Sequence, residues 1–256
     1  MSQDVPVTAE VAAVVTAFRP GPELVGLVRM LLPQVARVVI VDDEGGPGSA
    51  SRVLDDARAA GALVVRHETN RGIAAALNTG IRAARADAVE APRFVLTLDQ
   101  DSWVDEGFVA RLVATALEAA RAGLAVGLVA PAEVEGLPSP VTGHTRGFVL
   151  GGTPIQSGML LPLTALDRVG PFAEPLFIDG VDTDYALRLG AAGLLVLLSP
   201  GARLGHSLGS RHPLTLAGRP LRLGGGPVAL VSSAPFRYYY LLRNRVLLNR
   251  RHGRRH

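Results

Sequence analysis

The sequence predicts an α/β protein with a mainly parallel central sheet and helices on both of its faces. Short β-branched runs alternate with longer helical segments through the first half of the chain, and acidic or amide residues directly follow several of these runs. Strands separated by helices imply parallel pairing within one sheet. Of the 256 residues, 48% are hydrophobic and 19% are charged, so the chain can build a large core and is not globally disordered.

The elements of the first half follow one another in a regular order. A strand at residues 11–17 leads into Pro20-Gly21-Pro22, which opens a helix that reaches about residue 32. Further strands are predicted at residues 35–41, 62–66, 94–98 and 124–130, with helices at 49–60, 70–85 and 105–121 between them. The repeated strand–helix unit favours a sheet whose strands end at a common edge.

The pattern is less regular after Pro131. Strands are predicted at residues 143–150, 155–161 and 194–198, and helices at 182–190 and 235–249. Neither an internal repeat nor a low-complexity linker divides the chain, so a single domain over residues 1–256 is expected.

Composition excludes several classes of protein. The chain has no cysteine, which rules out disulfides, thiolate metal sites and a cysteine nucleophile. Residues 1–10 have no basic segment followed by an apolar core, and no run of about 20 mainly apolar residues is present. We therefore expect a cytoplasmic protein without a membrane-spanning helix.

The net charge of +3 conceals a strong asymmetry along the chain. Residues 185–256 hold twelve of the 26 basic residues and none of the 23 acidic ones. An Arg-rich C-terminus suits anionic lipid or a diphosphate, but a solvated basic helix end explains it equally well. Nucleic acid is the least favoured partner, because no recognised reading motif accompanies the charge.

Polar residues lie at or just past the carboxyl ends of the predicted strands, where open α/β sheets bind ligands. These residues are Thr16, Asp42, Asn70 and Asp99. The triplet Asp99-Gln100-Asp101 follows a buried strand, and on extended chain its two carboxylates share one side. Mg²⁺ and Mn²⁺ prefer oxygen ligands, and such an ion stabilises a departing diphosphate. A solvated turn is the usual explanation of such a triplet, but its position at the ligand edge favours a metal role.

Two further acidic clusters allow both a structural and a functional interpretation. Asp42-Asp43 follows an apolar strand, where a carboxylate can accept the imide N–H of uracil or thymine or can cap the next helix. Asp179, Asp182 and Asp184 suit the positive end of a helix, and one of them can equally serve as a general base.

Taken together, these motifs resemble the inverting family 2 glycosyltransferases of the GT-A fold, and most closely their bacterial rhamnosyltransferase branch. The resemblance covers about residues 11–249. Its marks are Val14-Val15-Thr16-Ala17-Phe18, Val41-Asp42-Asp43, Asn70-Arg71-Gly72 continuing to Asn78, Leu98-Asp99-Gln100-Asp101-Ser102, Gln156-Ser157-Gly158, Phe177-Ile178-Asp179 continuing to Asp184, His206-Ser207-Leu208-Gly209, and Tyr238-Tyr239-Tyr240 with Arg243-Asn244.

The resemblance implies roles for individual residues. Asp42 would contact the pyrimidine base, Asp99 the ribose side of the donor, and Asp101 the metal, Mg²⁺ or Mn²⁺, with His206 as a further ligand. The remaining donor-binding residues would be Thr16, Ala17, Phe18, Asn70, Gly72, Asn78 and Gln100.

The same resemblance aligns the catalytic aspartate with Asp182. The family usually has Glu in the preceding position, which here is Val181, and this departure leaves Asp179 and Asp184 as rival bases. Asp179 and Asp184 would otherwise line the acceptor side, together with Gln156, Ser157 and Gly158.

The implied reaction is a single inverting transfer, most simply of L-rhamnose from dTDP-rhamnose to a polysaccharide or lipid-linked glycan. UDP-galactofuranose or a UDP-hexose remains an alternative donor, and a non-catalytic sugar-nucleotide-binding module is the alternative of another class. Residues 1–130 would form the nucleotide-sugar half, 131–235 the acceptor and catalytic half, and 236–256 a basic tail that contacts the inner face of the membrane. A nucleotidyltransferase and a nicotinamide dehydrogenase are disfavoured, because no Gly-rich phosphate loop follows the first strand.

Overall fold

The structure is a computed structural model that describes residues 10–46, 51–86, 91–206 and 234–253, together with short paired strands between residues 211 and 231. Within these residues, eleven strands form one sheet whose order begins β3-β2-β1-β4. These four strands are parallel. The first half comprises β1 (Val11–Ala17), α1 (Glu23–Leu31), β2 (Arg37–Asp42), α2 (Ser51–Ala59), β3 (Leu63–Arg66), α3 (Ile73–Ala86) and β4 (Phe94–Asp99).

The second half of the chain extends the same sheet in the order β4-β10-β6-β11-β9-β8. Strand β10 is antiparallel to both of its neighbours, so the sheet is mixed. The elements are β5 (Ser102–Val104), α4 (Phe108–Arg121), β6 (Val126–Val134), β7 (Leu137–Pro138), β8 (Val141–Thr145), β9 (Phe148–Gly151), β10 (Met159–Pro162), α5 (Leu163–Val169), a 3₁₀ turn (Glu174–Leu176), α6 (Val181–Ala191), β11 (Leu195–His206) and α7 (Pro235–His252). The short paired strands are β12 (Arg211–Pro213), β13 (Thr215–Leu216), β14 (Arg219–Pro220), β15 (Arg222–Leu223), β16 (Gly226–Pro227) and β17 (Ala229–Val231).

Helices cover both faces of the sheet, as the strand–helix alternation predicts. The buried residues form two clusters, one beneath α1, α2 and α4 and the other beneath α3, α5 and α6. Strand β1 is buried along its whole length, and its alternate side chains enter the two clusters, with Val15 in the first and Val14 in the second. This two-sided burial explains why β1 is a continuous apolar run.

Several predicted boundaries are wrong in the second half. The strand predicted at 143–150 is a hairpin, because Arg146 (φ 47°) and Gly147 (φ 84°) form a left-handed turn between β8 and β9. The strand predicted at 155–161 begins only at Met159, after Gly158 at φ 88°. Strands β5 and β7 and helix α5 lie where the sequence pattern gave no prediction.

Among the described residues, no helix has both the length and the apolar character that crossing a bilayer requires. The 18-residue helix α7 is the longest of them, and it is rich in arginine.

Candidate active site

The carboxyl ends of β1 and β4 form the base of the site. Thr16 and Asp99 are paired in the register of these two parallel strands, and the Thr16 hydroxyl donates to Asp99 Oδ1 at 3.2 Å. Residues far apart in the chain therefore meet at one sheet edge, as the position of their strands predicts. The hydrogen bond fixes one carboxylate oxygen of the triplet.

Gln100 connects the triplet to the loop after β1. Its side-chain Oε1 accepts from the Phe18 backbone N–H at 2.7 Å, and its Nε2 donates to the Phe18 carbonyl at 3.2 Å. This reciprocal pair leaves the Phe18 ring 44% exposed at the edge of the site. The Ala17 side chain is buried in the core, and its carbonyl accepts from the Asp43 N–H at 2.8 Å, so its donor contact stays a prediction.

Ser157 supports the triplet from beneath. Its hydroxyl accepts from the Asp99 N–H at 3.2 Å and lies 2.7 Å from the Ser102 hydroxyl, so it contacts the chain on both sides of the turn. Ser157 is almost fully buried, and the adjacent Gly158 N–H donates to the Thr97 carbonyl at 2.7 Å. We therefore revise the predicted acceptor contacts of Ser157 and Gly158 to a supporting role.

Strand β5 brings the end of the triplet next to β11. The two strands are antiparallel, and their register places the backbone of His206 opposite Ser102, the residue after Asp101. Carboxylate oxygens such as those of Asp99 and Asp101, and the imidazole of a histidine, are suitable ligand types for Mg²⁺ or Mn²⁺ that also binds a diphosphate. The His206 side chain and residues 207–210 lie outside the described residues. The described residues contain no preassembled group of three or more His, Asp or Glu side chains that could hold a metal alone.

The Asp42-Asp43 pair is buried after β2 and is already engaged. Asp42, 1% exposed, accepts from Arg66 Nε at 3.0 Å and from the Glu44 N–H at 3.2 Å. In this conformation its carboxylate holds the loop after β2 and does not face solvent. A contact with a pyrimidine base therefore requires that loop to move.

Asp43, to which the sequence assigned no separate role, holds the start of α3. Its carboxylate accepts from the backbone N–H groups of Arg71 at 2.9 Å and Gly72 at 2.7 Å, and lies 2.6 Å from His67 Nδ1. Asn70 Oδ1 also accepts from the Gly72 N–H, at 3.1 Å. The Asn70-Arg71-Gly72 motif is thus a loop whose backbone donors converge on one buried acid.

Gly72 is required by a close approach to the acidic segment before α6. Its φ is 85°, and a Cβ at this position would lie 2.6 Å from the Phe177 carbonyl oxygen. The next N–H, of Ile73, donates to that same carbonyl at 2.8 Å. The start of α3 therefore rests directly on residue 177.

Asn78 also acts on this segment. Its amide Nδ2 donates to the Phe172 carbonyl and to Glu174 Oε1, both at 3.0 Å, and its Oδ1 accepts from the Phe172 N–H at 2.9 Å. Because Asn78 is buried and its amide is used by these contacts, we revise its predicted donor contact to a positioning role.

The three rival acids of the third cluster have different surroundings. Asp179 forms an ion pair with Arg237, whose Nε lies 3.2 Å from Oδ2 and whose Nη2 contacts Oδ1. The hydrogen bonds to Asp179, and the negative charges of Asp179 and Asp99, outweigh partial burial and raise the pKa of Arg237. The guanidinium of Arg237 on α7 therefore interacts electrostatically with Asp99 of the triplet as well as with Asp179.

Asp184 is fully buried and anchors the C-terminal helix. Its Oδ2 accepts from Arg188 Nε at 2.8 Å, while Oδ1 lies 3.1 Å from Arg251 Nη1 and 2.8 Å from His252 Nε2. Burial alone would raise the pKa of Asp184, but these hydrogen bonds and charges lower it. Asp184 has no exposed surface in this conformation, so its carboxylate supports the fold and does not face an acceptor.

Asp182 has no cationic partner among the described residues. Its Oδ1 accepts from the Thr183 N–H at 2.7 Å and from the Thr183 hydroxyl at 3.4 Å. Burial raises the pKa of Asp182 despite these bonds, and the nearby charge of Asp179 adds to the increase. Val181, at the position where family 2 glycosyltransferases usually have Glu, packs in the core. Asp182 thus combines a raised pKa with a carboxylate that has no guanidinium partner among the described residues.

Gln156 carries an unsatisfied amide. Its side chain is 6% exposed, and neither Oε1 nor Nε2 has a hydrogen-bond partner, whereas its backbone carbonyl accepts from the Thr97 hydroxyl at 2.7 Å. A buried amide without partners is costly, so such a group is suited to bind a polar ligand.

The C-terminal helix provides site residues whose roles the sequence did not predict. Arg237 pairs with Asp179, and Asn244 donates to three backbone carbonyls of the segment before α6. The sequence offered one signal, the Arg243-Asn244 pair, which matched the family pattern without indicating a contact.

Comparison with known proteins agrees with this architecture. A dTDP-rhamnosyl transferase, RfbF, of Shigella flexneri is 26% identical in an alignment 260 residues long. The alignment covers 95% of this chain and 81% of that protein. Among solved structures, TarS of S. aureus has a TM-score of 0.61 at 16% identity, over 77% of this chain and 36% of TarS. Glucosyl-3-phosphoglycerate synthase from Mycobacterium tuberculosis, in complex with Mg²⁺ and UDP, has a TM-score of 0.60 at 17% identity, over 96% of this chain and 80% of that one.

These structural neighbours are glycosyltransferases with the GT-A fold, which is therefore the fold of this chain. The family model described as glycosyl transferase family 2 matches residues 12–162, more than half of the sequence. That match contains residues 12–17 of β1, the Asp42-Asp43 pair, the triplet and Gln156. The chain belongs to glycosyl transferase family 2 and is a glycosyltransferase.

Proposed function

We propose that the protein transfers L-rhamnose from dTDP-rhamnose to a polysaccharide or lipid-linked glycan with inversion at the anomeric carbon. The observation that carries the mechanism is the contrast among the three acids: Asp179 and Asp184 are neutralised by ion pairs, whereas Asp182 is partly buried without a cationic partner among the described residues. The similarity to a dTDP-rhamnosyl transferase supports the choice of donor.

The donor would bind across the carboxyl ends of β1 and β4. Thr16, Phe18 and Gln100 hold the loop after β1 against the triplet, and Asp99 lies at the same edge for the ribose. Asp101 and His206 would hold Mg²⁺ or Mn²⁺, because β5 and β11 bring their chain segments together. When bound, the cation stabilises the negative charge of the departing diphosphate.

Asp182 would act as the general base. The acceptor hydroxyl loses its proton to Asp182, its oxygen forms a bond to the anomeric carbon, and the bond from that carbon to the diphosphate oxygen breaks. The products are the glycoside and dTDP, with no covalent enzyme intermediate. A raised pKa makes the ionised carboxylate a stronger base than an ordinary aspartate, provided that the pH keeps it ionised.

Gln156 and Asp179 would contact the acceptor. The unsatisfied amide of Gln156 can donate to one sugar hydroxyl and accept from another. Asp179 can bind a hydroxyl with the oxygen lone pairs that its ion pair with Arg237 leaves available. Ser157, Gly158 and Asp184 are not part of this proposal, because each of them has a supporting contact instead.

A second donor class is favoured by the structural neighbours. TarS and glucosyl-3-phosphoglycerate synthase were both solved in complex with UDP, so UDP-galactofuranose or a UDP-hexose is the alternative to dTDP-rhamnose. The non-catalytic alternative is a sugar-nucleotide-binding module, which would bind the same donor without turnover.

The test is a donor panel with and without Mn²⁺. Calorimetry measures the binding of dTDP-rhamnose, UDP-galactofuranose and UDP-glucose, and mass spectrometry follows transfer to a panel of glycan acceptors. We expect metal-dependent turnover with dTDP-rhamnose. Turnover with only a UDP sugar would replace the donor, and binding without hydrolysis or transfer would identify a binding module.

We also propose peripheral contact between α7 and an anionic membrane surface. The outward side of this helix exposes Tyr239, Leu242 and Val246, and α7 contains no acidic residue. Apolar side chains among arginines are typical of interfacial helices. Sedimentation with phosphatidylglycerol vesicles should exceed sedimentation with phosphatidylcholine vesicles, and Leu242→Asp should reduce it. Equal sedimentation with both would contradict the proposal.

A further inference from the structure

The segment that leads into α6 has an unfavourable backbone conformation. Phe177 (φ 65°) and Asp179 (φ 63°) are left-handed, and Gly180 follows at φ 81°. Residues with a side chain seldom adopt this conformation, because their Cβ atom crowds the backbone. Such a segment keeps its shape only when surrounding contacts hold it.

Three of these contacts come from a single side chain of α7. Asn244, 2% exposed, directs its amide Nδ2 at three carbonyl oxygens, those of Leu176 at 2.8 Å, Ile178 at 2.7 Å and Asp179 at 2.7 Å. An amide group has two N–H donors, so the three carbonyls share them. Asn244 therefore connects three carbonyls of the segment that contains the left-handed residues.

The neighbouring residue fixes the orientation of this amide. Arg243 Nε donates to Asn244 Oδ1 at 2.9 Å, which identifies the other end of the amide as the donor. The same guanidinium donates to the Leu176 carbonyl at 3.0 Å. Its charge also lies 4.6 Å from the centre of the Tyr240 ring, and that ring stacks on Phe177 with centroids 4.8 Å apart.

We infer that Asn244 is a positioning residue for Asp182: through the carbonyls of Leu176, Ile178 and Asp179, it sets where α6 begins. Asp182 is the second residue of that helix, and the Asp184 N–H donates to the Gly180 carbonyl at the helix start. A displaced segment would move the Asp182 carboxylate relative to the sugar donor. The inference rests on the proposed role of Asp182 as general base.

The test compares Asn244→Ala and Asn244→Asp with Asn249→Ala. Asn249 is an exposed residue of the same type on the same helix, which makes it the matched control. Asn244→Asp keeps the shape of the side chain but removes both N–H donors. The measurements are hydrogen exchange over residues 176–184, the dissociation constant of the donor, and kcat and KM for transfer.

For both Asn244 variants we expect faster exchange over residues 176–184 and a kcat lower by on the order of 100-fold, as expected from a small misplacement of a catalytic group. The dissociation constant and the KM of the donor should not change. The hydrogen bonds of Asn244 are with Arg243 and with residues 176–179, not with the carboxyl ends of β1 and β4. Asn249→Ala should match the unmodified protein in every measurement.

Unchanged exchange over residues 176–184, or a kcat equal to that of Asn249→Ala, would overturn the inference. If Asn244→Ala does not fold, Asn244→Ser retains a hydroxyl donor and enters the same comparison. Failure of the proposed function has a different signature, since the unmodified protein would then transfer no sugar. The exchange rates would still decide whether Asn244 holds the segment.

Discussion

The backbone of His206 lies opposite Ser102 in the antiparallel pairing of β5 with β11. The pairing brings the end of the acidic triplet next to a histidine from the far half of the chain. With Asp101 and His206 as the two proposed protein ligands, coordination positions would be left for diphosphate oxygens and water, which suits a hard divalent cation. Metal and nucleotide should therefore bind together.

The first prediction concerns this metal site. Asp101→Asn and His206→Ala should each weaken Mn²⁺ binding in the presence of dTDP, measured by calorimetry. Asp101→Asn should also lower donor turnover by on the order of 1000-fold, because a metal contributes several kcal/mol to stabilising the leaving group. His144→Ala is the control, since His144 is exposed on β8. Full Mn²⁺ affinity in Asp101→Asn would exclude Asp101 as a ligand.

The second prediction separates binding from chemistry at Asp182. Asp182→Asn should retain the affinity for dTDP-rhamnose and lower kcat by roughly 100- to 10,000-fold, the usual contribution of a general base. In the unmodified enzyme, kcat should fall as the pH decreases through the raised pKa of Asp182. The acidic limb should therefore lie above pH 3.9, about the ordinary pKa of an aspartate. A near-normal kcat in the variant would return Asp179 to consideration.

The same substitution has a predicted effect on stability. A carboxyl whose pKa is raised by folding destabilises the folded state once the pH is high enough to ionise it. Asp182→Asn should therefore raise the free energy of unfolding at pH 7. The gain should vanish below the unfolded-state pKa, where the carboxyl is protonated in both states. Urea titrations at pH 7 and at acidic pH measure this difference, and an equal gain at both would contradict it.

A third prediction uses two glycines with similar backbone conformations. Gly72 and Gly46 have φ values of 85° and 72°, so alanine at either position should cost about 1–2 kcal/mol of strain. Only at Gly72 would the new Cβ also collide with the backbone of Phe177, which adds about 1–3 kcal/mol. Gly72→Ala should therefore destabilise more than Gly46→Ala in urea unfolding and should also reduce kcat. Equal destabilisation would show that the close approach is relaxed in solution.

The sequence predicted the strands of the first half of the chain better than those of the second half. Strands β1, β2, β3 and β4 are contiguous apolar runs, so their ends, and the convergence of Thr16 with Asp99, follow from local pattern and from the rule for parallel sheets. The hairpin of β8 and β9 depends on the left-handed Arg146, which has no reliable signature in the sequence. Strand β5 has only three residues, and its pairing partner β11 lies about 100 residues later in the chain, so no local pattern predicts it.

Residue roles were harder to predict than residue positions. Asp42, Asn78, Ser157 and Asp184 lie in motifs that the sequence identified, yet each is buried with its polar atoms engaged by other parts of the chain. Whether an acid faces a ligand or a guanidinium depends on tertiary contacts. Asp184 shows this most clearly, because Arg251 and His252 approach it from a helix at the other end of the sequence.

The last prediction tests that anchor. Asp184→Ala should lower the free energy of unfolding by about 3–5 kcal/mol, because it leaves Arg188 and Arg251 without their buried partner. Asp167→Ala is the matched control: its ion pair with Arg85 is exposed at both ends, and such pairs contribute about 0–1 kcal/mol. Urea denaturation followed by circular dichroism measures both variants.

The pH dependence of the anchor follows from the lowered pKa of Asp184. A carboxyl whose pKa is lowered by folding stabilises the folded state above its unfolded-state pKa, about 3.9, and this contribution is lost as the pH falls through the folded-state pKa. The difference in stability between the unmodified protein and Asp184→Ala should therefore be full at pH 7 and should shrink below about pH 3.9. A difference that does not depend on pH would assign the effect of the substitution to lost packing. A difference that shrinks as expected would show that the charge of Asp184 stabilises the fold, as its contacts with Arg188 on α6 and with Arg251 and His252 on α7 predict.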